Sequence, residues 1–146
     1  MIIRKGFTLI ELLVVLAVIG LLASISVVSL SQANTNSRDA RREMDIKELR
    51  RSLAIYETSR NRYPICSGEV QINGTSDCLS VAIIADGVTN VLPKDPRHGI
   101  GGGSCGDNGT FYYCYTSSNG SSYTIRYSLE TNSILGKSQG WQTINP

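Results

Sequence analysis

Arg4-Lys5-Gly6-Phe7-Thr8-Leu9-Ile10-Glu11, followed by Leu12 to Leu30 without a charge, is the stretch on which the fold turns. At about 1.5 Å of rise per residue, Leu12 to Leu30 would extend ~28 Å as a helix, close to the ~30 Å hydrocarbon thickness of a bilayer. The run therefore suits a membrane span. Ser24, Ser26 and Ser29 do not oppose this, because a helical hydroxyl can bond a carbonyl one turn back. Gly20 and Ala23 allow a second helix to approach closely. Glu11 is the anomaly, since an ionised acid beside such a run is costly unless it reaches an interface or a partner.

Two ordinary explanations fit poorly. A secretory signal peptide has a basic start, an apolar stretch of about 7 to 15 residues and a small-x-small cleavage site. Ser31-Gln32-Ala33 offers such a site, but the apolar run is too long and Glu11 is out of place. A plain single-span anchor fits the length and leaves Gly6-Phe7 and Glu11 unexplained.

The contiguous stretch Lys5-Gly6-Phe7-Thr8-Leu9-Ile10-Glu11-Leu12-Leu13-Val14-Val15 resembles the class III signal of type IV prepilins and the pseudopilins of type II secretion. The resemblance implies a leader of residues 1–6, removed by a prepilin peptidase between Gly6 and Phe7, with methylation of the new amino group of Phe7. It implies that Glu11 is an assembly residue, meeting the N-terminal amine of a neighbouring subunit. Such pairing is physically sensible, because a buried charge is tolerated only beside its opposite. As a first-turn acid, Glu11 also complements the helix dipole. Many pilins carry proline at the position of Val28, where their helix bends, and Val28 removes that cause of a kink.

Charge around the span leaves topology open: Arg4 and Lys5 precede it, and Arg38, Arg41 and Arg42 follow it. Cys66, Cys78, Cys105 and Cys114 all fall in a segment rich in Gly, Ser, Asn and Thr. Four cysteines there suggest two disulfides and an oxidising exterior. They admit three connectivities, and proximity favours Cys66 with Cys78 and Cys105 with Cys114. Zinc is the weaker reading, because no CxxC spacing occurs and His98 is the single histidine.

The chain has 146 residues. A leader and a span leave room for one small domain. Without Arg4 and Lys5, twelve basic side chains face twelve acidic ones, and nothing in that balance requires nucleic acid. Residues 38–62 hold eight basic and five acidic side chains, and those after Tyr63 hold four and six.

Ile46, Leu49, Leu53 and Tyr56 recur at spacings of three and four, the stripe of an amphipathic helix. That helix is expected to run to about Arg62, since Pro64 disfavours continuation. Arg41, Arg42, Arg50 and Arg51, alternating with Asp45 and Glu48, read as a solvated face with ion pairs between subunits. Past Pro64, Asn73-Gly74 marks a turn, Leu79 to Ala85 a short helix closed by Asp86-Gly87, and Pro93-Lys94-Asp95-Pro96 an extended segment. Gly99 to Gly106 lacks the Lys-Ser/Thr ending of a phosphate-binding loop and reads as a surface loop. Tyr123, Ile125, Tyr127 and Leu129 alternate with polar residues after the Asn119-Gly120 turn, the clearest hairpin in the chain. One face is expected to lie on the helix stripe, with Ile134, Leu135 and Trp141 adding a last strand or flap.

The expected fold is α+β and pilin-like: a long N-terminal helix packed on a small antiparallel β-sheet head. Its segments are the leader, 1–6; an apolar transmembrane or filament-core helix, 7–30; an amphipathic continuation, 31–63; and the head, 64–146. Helix end, proline loop and Tyr-rich hairpin are similar to heads of small pilins and major pseudopilins. Some of those bind calcium near the sheet, and Asp95, Asp107, Asn108 and Glu130 are the oxygen donors that resemblance points to. They show no regular ligand spacing, and disulfides offer an alternative brace.

No nucleophile and base are paired in the sequence, so no enzyme is expected and no other cofactor. The resemblance implies a structural subunit of a type IV pilus or pilus-like filament. A pseudopilin of a type II secretion system is the alternative, and a non-polymerising membrane-anchored binding module the second. Its implied partners are further copies of the chain, the prepilin peptidase, an inner-membrane assembly platform with a cytoplasmic ATPase, and the membrane itself. The implied location is the cytoplasmic membrane as a single-pass precursor, then a cell-surface filament, or a periplasmic one for a pseudopilin.

Overall fold

The computed structural model describes residues 6–100 and 102–146, without the side chains of 26–28. Arg4, Lys5 and the rest of the leader before Gly6, Gly101 of the glycine-rich loop, and the side chains of Ser26 and Val28 lie outside the described residues. Two compact units are present, residues 1–35 and Asn36–Pro146. Helix α1, Leu9–Arg60, begins in the first and ends in the second. Its backbone is helical through position 28.

The end of α1 comes two residues before the Arg62 expected from the stripe. Asn61 adopts a φ of 54° and its N–H donates to the Glu57 carbonyl at 2.7 Å. Asparagine enters the left-handed region at low cost, so the helix closes there before Pro64 is reached.

In the second unit, β1 (Cys66–Gln71), β2 (Cys114–Ser117), β3 (Thr124–Leu129) and β4 (Gly140–Ile144) form an antiparallel sheet in the order β1-β2-β3-β4. The expected hairpin is β2 and β3, with Tyr115 opposite Ile125. Strand β4 realises the expected last strand, with Trp141 opposite Ser128. Strand β1 carries no alternation that would announce it; its register slips between Cys66 and Val70, where Gly68 takes a positive φ of 88°. Helix α2, Cys78–Ala85, covers the expected short helix, and its N-cap is Asp77, which accepts from Ser80 N–H at 2.9 Å.

The stripe Ile46, Leu49 and Leu53 is buried against Tyr113, Tyr115, Ile125, Tyr127 and Leu129 of the sheet and against Ile72, Leu79 and Ile83. Tyr56 and Ile134 are partly buried at its margin, whereas Leu135 is fully exposed. Buried tyrosines need partners for their hydroxyls. Tyr113 donates to Asp45 at 2.8 Å, Tyr115 to the Pro64 carbonyl at 2.7 Å, and Tyr127 to Glu43. The bonds to Asp45 and Glu43 fix the rotation of α1 over the sheet.

Candidate assembly and processing site

In the first unit, Gly6, Phe7 and Thr8 precede the helix and are exposed. The Gly6–Phe7 bond thus lies in non-helical backbone, and a Cβ at Gly6 would meet nothing within 4 Å. Helices are poor protease substrates because their backbone is already hydrogen-bonded; this junction is free of that constraint.

Thr8 and Glu11 form a reciprocal cap. The Thr8 N–H donates to Glu11 Oε2 at 2.8 Å, the Thr8 hydroxyl donates to the same oxygen at 2.7 Å, and Glu11 N–H donates to Thr8 Oγ1 at 3.3 Å. This is the Thr-x-x-Glu capping box, which satisfies two of the free donors at a helix start. Glu11 therefore has a local duty besides any intermolecular one. The Thr8-x-x-Glu11 spacing carries that signal in the sequence, although the acid alone reads only as a dipole partner.

From Leu9 to Ile25 the apolar side chains are exposed, among them Leu13, Leu16, Ile19 and Leu22. The span meets the length and composition needed to cross a membrane. Ser24 donates to the Leu21 carbonyl at 2.7 Å and Ser29 to the Ile25 carbonyl at 3.2 Å, so neither hydroxyl is left unsatisfied in an apolar surrounding.

In the second unit, the expected solvated face loses two members, Arg42 and Asp45, the latter buried beneath the Tyr113 hydroxyl. Arg42 is wholly buried, because the stripe that carries Ile46, Leu49 and Leu53 extends back to it at helical spacing. Its guanidinium donates to Asp95 at 2.7 and 3.1 Å, to Asp39 at 2.7 Å and to Glu130 at 2.8 Å. Arg38 forks onto Glu130 at 2.7 and 2.6 Å, and Arg97 reaches it at 3.1 Å. Three guanidinium groups meet three carboxylates, so the cluster is neutral as burial requires. Phe111 lies beneath it, 4.9 Å from the Arg42 guanidinium and 4.3 Å from that of Arg97. Asp39 also accepts the N–H groups of Glu130 and Thr131, both at 2.9 Å.

Burial alone would raise the Glu130 carboxyl, but hydrogen bonds and charge from Arg38 and Arg42 outweigh it and hold the group at about 2. Burial likewise works against the charge of Arg42, and Asp95, Glu130 and Asp39 more than restore it.

The calcium donors suggested by resemblance separate into two places. Asp95 and Glu130 gather around Arg42 and fit a guanidinium rather than a metal ion. Asp107 is exposed in the loop, where its carboxylate accepts Ser104 N–H at 2.7 Å and its carbonyl accepts Trp141 Nε1–H at 3.1 Å; Asn108 is exposed beside it. Among the described residues, Glu69, Cys105 and Cys114 are the potential ligands that do converge, but both sulfurs are tied in a disulfide. The disulfides join Cys66 to Cys78 and Cys105 to Cys114. The first ties β1 to the start of α2; the second ties the glycine-rich loop to β2.

An exposed apolar helix with a capped acid at its start, in a chain whose second unit is a small disulfide-braced sheet under an amphipathic helix, defines a pilin-like protein. Residues 1–27 match the family described as the prokaryotic N-terminal methylation motif. The type II secretion system core protein G of Pectobacterium carotovorum subsp. carotovorum is 33% identical over 97 residues, 64% of this chain and 62% of that protein. The protein of the same name from Klebsiella michiganensis is 32% identical over 100 residues, covering 66% of this chain and 70% of the relative. That from Aeromonas hydrophila is 36% identical over 61 residues, 42% of this chain and 43% of the relative. The chain spans a little under two thirds of the Pectobacterium protein's length. No solved structure matches the chain significantly. The chain belongs to the type IV pilin and type II secretion pseudopilin superfamily.

Proposed function

We propose that the chain is a pseudopilin, a structural subunit of a periplasmic filament of a type II secretion system. The observation that carries this reading is the similarity to relatives named type II secretion system core protein G, one of them covered over 70% of its length. They favour the pseudopilus over the surface pilus that the leader alone brings first to mind. The precursor is a single-span protein of the cytoplasmic membrane. A prepilin peptidase cuts the exposed Gly6–Phe7 bond and methylates Phe7, and the processed subunit is drawn into a homopolymer by a membrane platform with its cytoplasmic ATPase.

The physics of assembly follows from the exposed apolar helix. Moving its side chains from lipid into a helix bundle exchanges one apolar medium for another, so extraction is not opposed by the hydrophobic effect. The Glu11 carboxylate and the amine of Phe7 on a neighbouring copy then neutralise each other and set the axial register. The head needs no catalytic group for this work.

Deleting the gene is expected to leave exported proteins trapped in the periplasm, with the long filaments sheared from the cell surface unchanged. Mass spectrometry of the mature subunit is expected to find methylated Phe7 at its start. Normal export together with loss of long surface filaments would replace the pseudopilus reading by the pilus one.

A further inference from the structure

Two pockets flank one face of α1 in the second unit. The first, about 530 Å³, is lined by Lys47, Glu48, Arg51, Ser52, Val88 and Thr89 among others. The second, about 360 Å³, is lined by Lys47, Arg50, Arg51, Ala54, Tyr63 and Tyr123, with Pro146 at its edge. Lys47 and Arg51 belong to both, so the pockets are the two sides of one cationic ridge.

Lys47, Arg50 and Arg51 are exposed and form no ion pair with any described residue. That sets them apart from Arg38, Arg42, Arg60, Arg97, Arg126 and Lys137, each of which holds a carboxylate. Beside them Ser52 is 7% exposed and borders the first pocket. Apolar groups also line the walls: Ile55, which is 46% exposed, and Val88 on one side, Ala54 and the edge-on pair Tyr63 and Tyr123 on the other.

We propose that this ridge is a docking surface for an acidic segment of a different polypeptide, whose carboxylates meet Lys47, Arg50 and Arg51 and whose apolar side chains enter the flanking pockets.

Charge complementarity selects that occupant over two others. A second copy of the chain has few carboxylates to offer. Asp39, Glu43, Asp45, Glu69, Asp86, Asp95 and Glu130 are ion-paired within the head, Asp77 caps α2, and Asp107 accepts Ser104 N–H. Glu11 accepts from Thr8 at the start of α1, and Glu48 and Glu57 remain, both on the helix that carries the cations, with Glu48 on the ridge itself. A nucleic-acid backbone is disfavoured by the same Glu48, which faces the charge such a polymer would repeat at every step. A polypeptide accommodates it, because a partner with spaced acids and intervening apolar or basic residues matches a mixed surface. The proposal concerns the head and does not depend on whether the filament is a pseudopilus.

The test uses the full chain in detergent micelles and three fluorescein-labelled probes: a glutamate-rich peptide with a central leucine pair, its glutamine counterpart, and single-stranded oligothymidylate. The glutamate peptide is expected to bind, with affinity falling as salt rises from about 0.05 to about 0.3 M, since these cations are exposed. Replacing Lys47, Arg50 and Arg51 together by alanine should weaken binding about tenfold or more. Lys94→Ala, which removes an exposed cation lining neither pocket, should not change it. Equal binding of the glutamine peptide, or unchanged binding by the triple variant, overturns the proposal. So does tighter binding of oligothymidylate than of the peptide. Loss of homopolymer assembly in the triple variant would assign the ridge to contacts between copies, and would overturn it as well.

Discussion

The Arg42 guanidinium holds the Asp95 carboxylate by two hydrogen bonds, 2.7 and 3.1 Å long, and neither side chain is exposed. The pair joins the end of the proline loop to α1 across 53 residues of sequence. Removing one member leaves the other charge buried, which costs about 3 to 5 kcal/mol, whereas an apolar replacement of the whole group need not. Arg42→Ala is therefore expected to lose about that much stability in urea denaturation followed by circular dichroism. Asp95→Asn should lose less, because the amide oxygen still accepts one guanidinium bond.

Glu130 makes stability depend on acid. Its carboxyl is held at about 2 in the fold, against an ordinary value of 4.5. The folded value is the lower one, so between them the unfolded chain binds more protons. The contribution of Glu130 is thus complete above about 4.5 and is lost as pH falls toward 2. The raised carboxyl of Asp45, shifted chiefly by burial, acts in the opposite sense, so the comparison must be with a variant. Glu130→Gln is expected to be less stable than the natural chain at neutral pH, and the gap should narrow through that window in thermal melts.

How much of this could be read without coordinates differs from residue to residue. The stripe of Ile46, Leu49 and Leu53 and the alternation of Tyr123, Ile125, Tyr127 and Leu129 are legible because local periodicity and tertiary burial agree. Strand β1 is not, because Gly68 and a register slip break the period-two pattern. Arg42 sits on the stripe at the right spacing, yet a charged residue there reads as solvent-facing until its partners are known. Asp39 is three residues away, but the other two partners, Asp95 and Glu130, lie 53 and 88 residues away, and no local pattern links them. For the same reason Asp95 and Glu130 read as oxygen donors for an ion while the fold supplies them with a guanidinium.

The disulfides brace loops more than core. Each closes a short loop, with sequence separations of 12 and 9, and chain-entropy reasoning assigns such loops about 3 kcal/mol apiece. Reduction with dithiothreitol is expected to lower the thermal midpoint of the head. The double variant Cys105→Ser with Cys114→Ser should increase hydrogen exchange in the glycine-rich loop more than in α2, and Cys66→Ser with Cys78→Ser should do the reverse.

Asp77 gathers the turn before α2. It accepts Asn73 N–H at 2.9 Å, Gly74 N–H at 3.3 Å and Ser80 N–H at 2.9 Å. N-cap replacement by alanine ordinarily costs about 0.5 to 2 kcal/mol, and these three N–H groups and the Ser80 hydroxyl lose their acceptor here. Asp77→Ala is expected toward the upper end of that range, whereas Asp77→Asn should keep most of the stability. Urea denaturation distinguishes the two.

Glu11 has two duties, and glutamine separates them. A glutamine at the third helical position can still reach back to the Thr8 N–H, so the capping box survives while the charge is lost. Glu11→Gln is expected to retain the helix content of the natural chain by circular dichroism in micelles. If the charge is what a neighbouring Phe7 amine requires, the same variant should fail to polymerise, because that amine enters the apolar bundle without its counter-ion. Thr8→Val is the converse: it removes the hydroxyl of the cap and keeps the carboxylate, so the first turn should fray while assembly persists. Polymerisation of Glu11→Gln at natural yield and subunit spacing would confine Glu11 to its capping duty and leave the axial register to the apolar side chains alone.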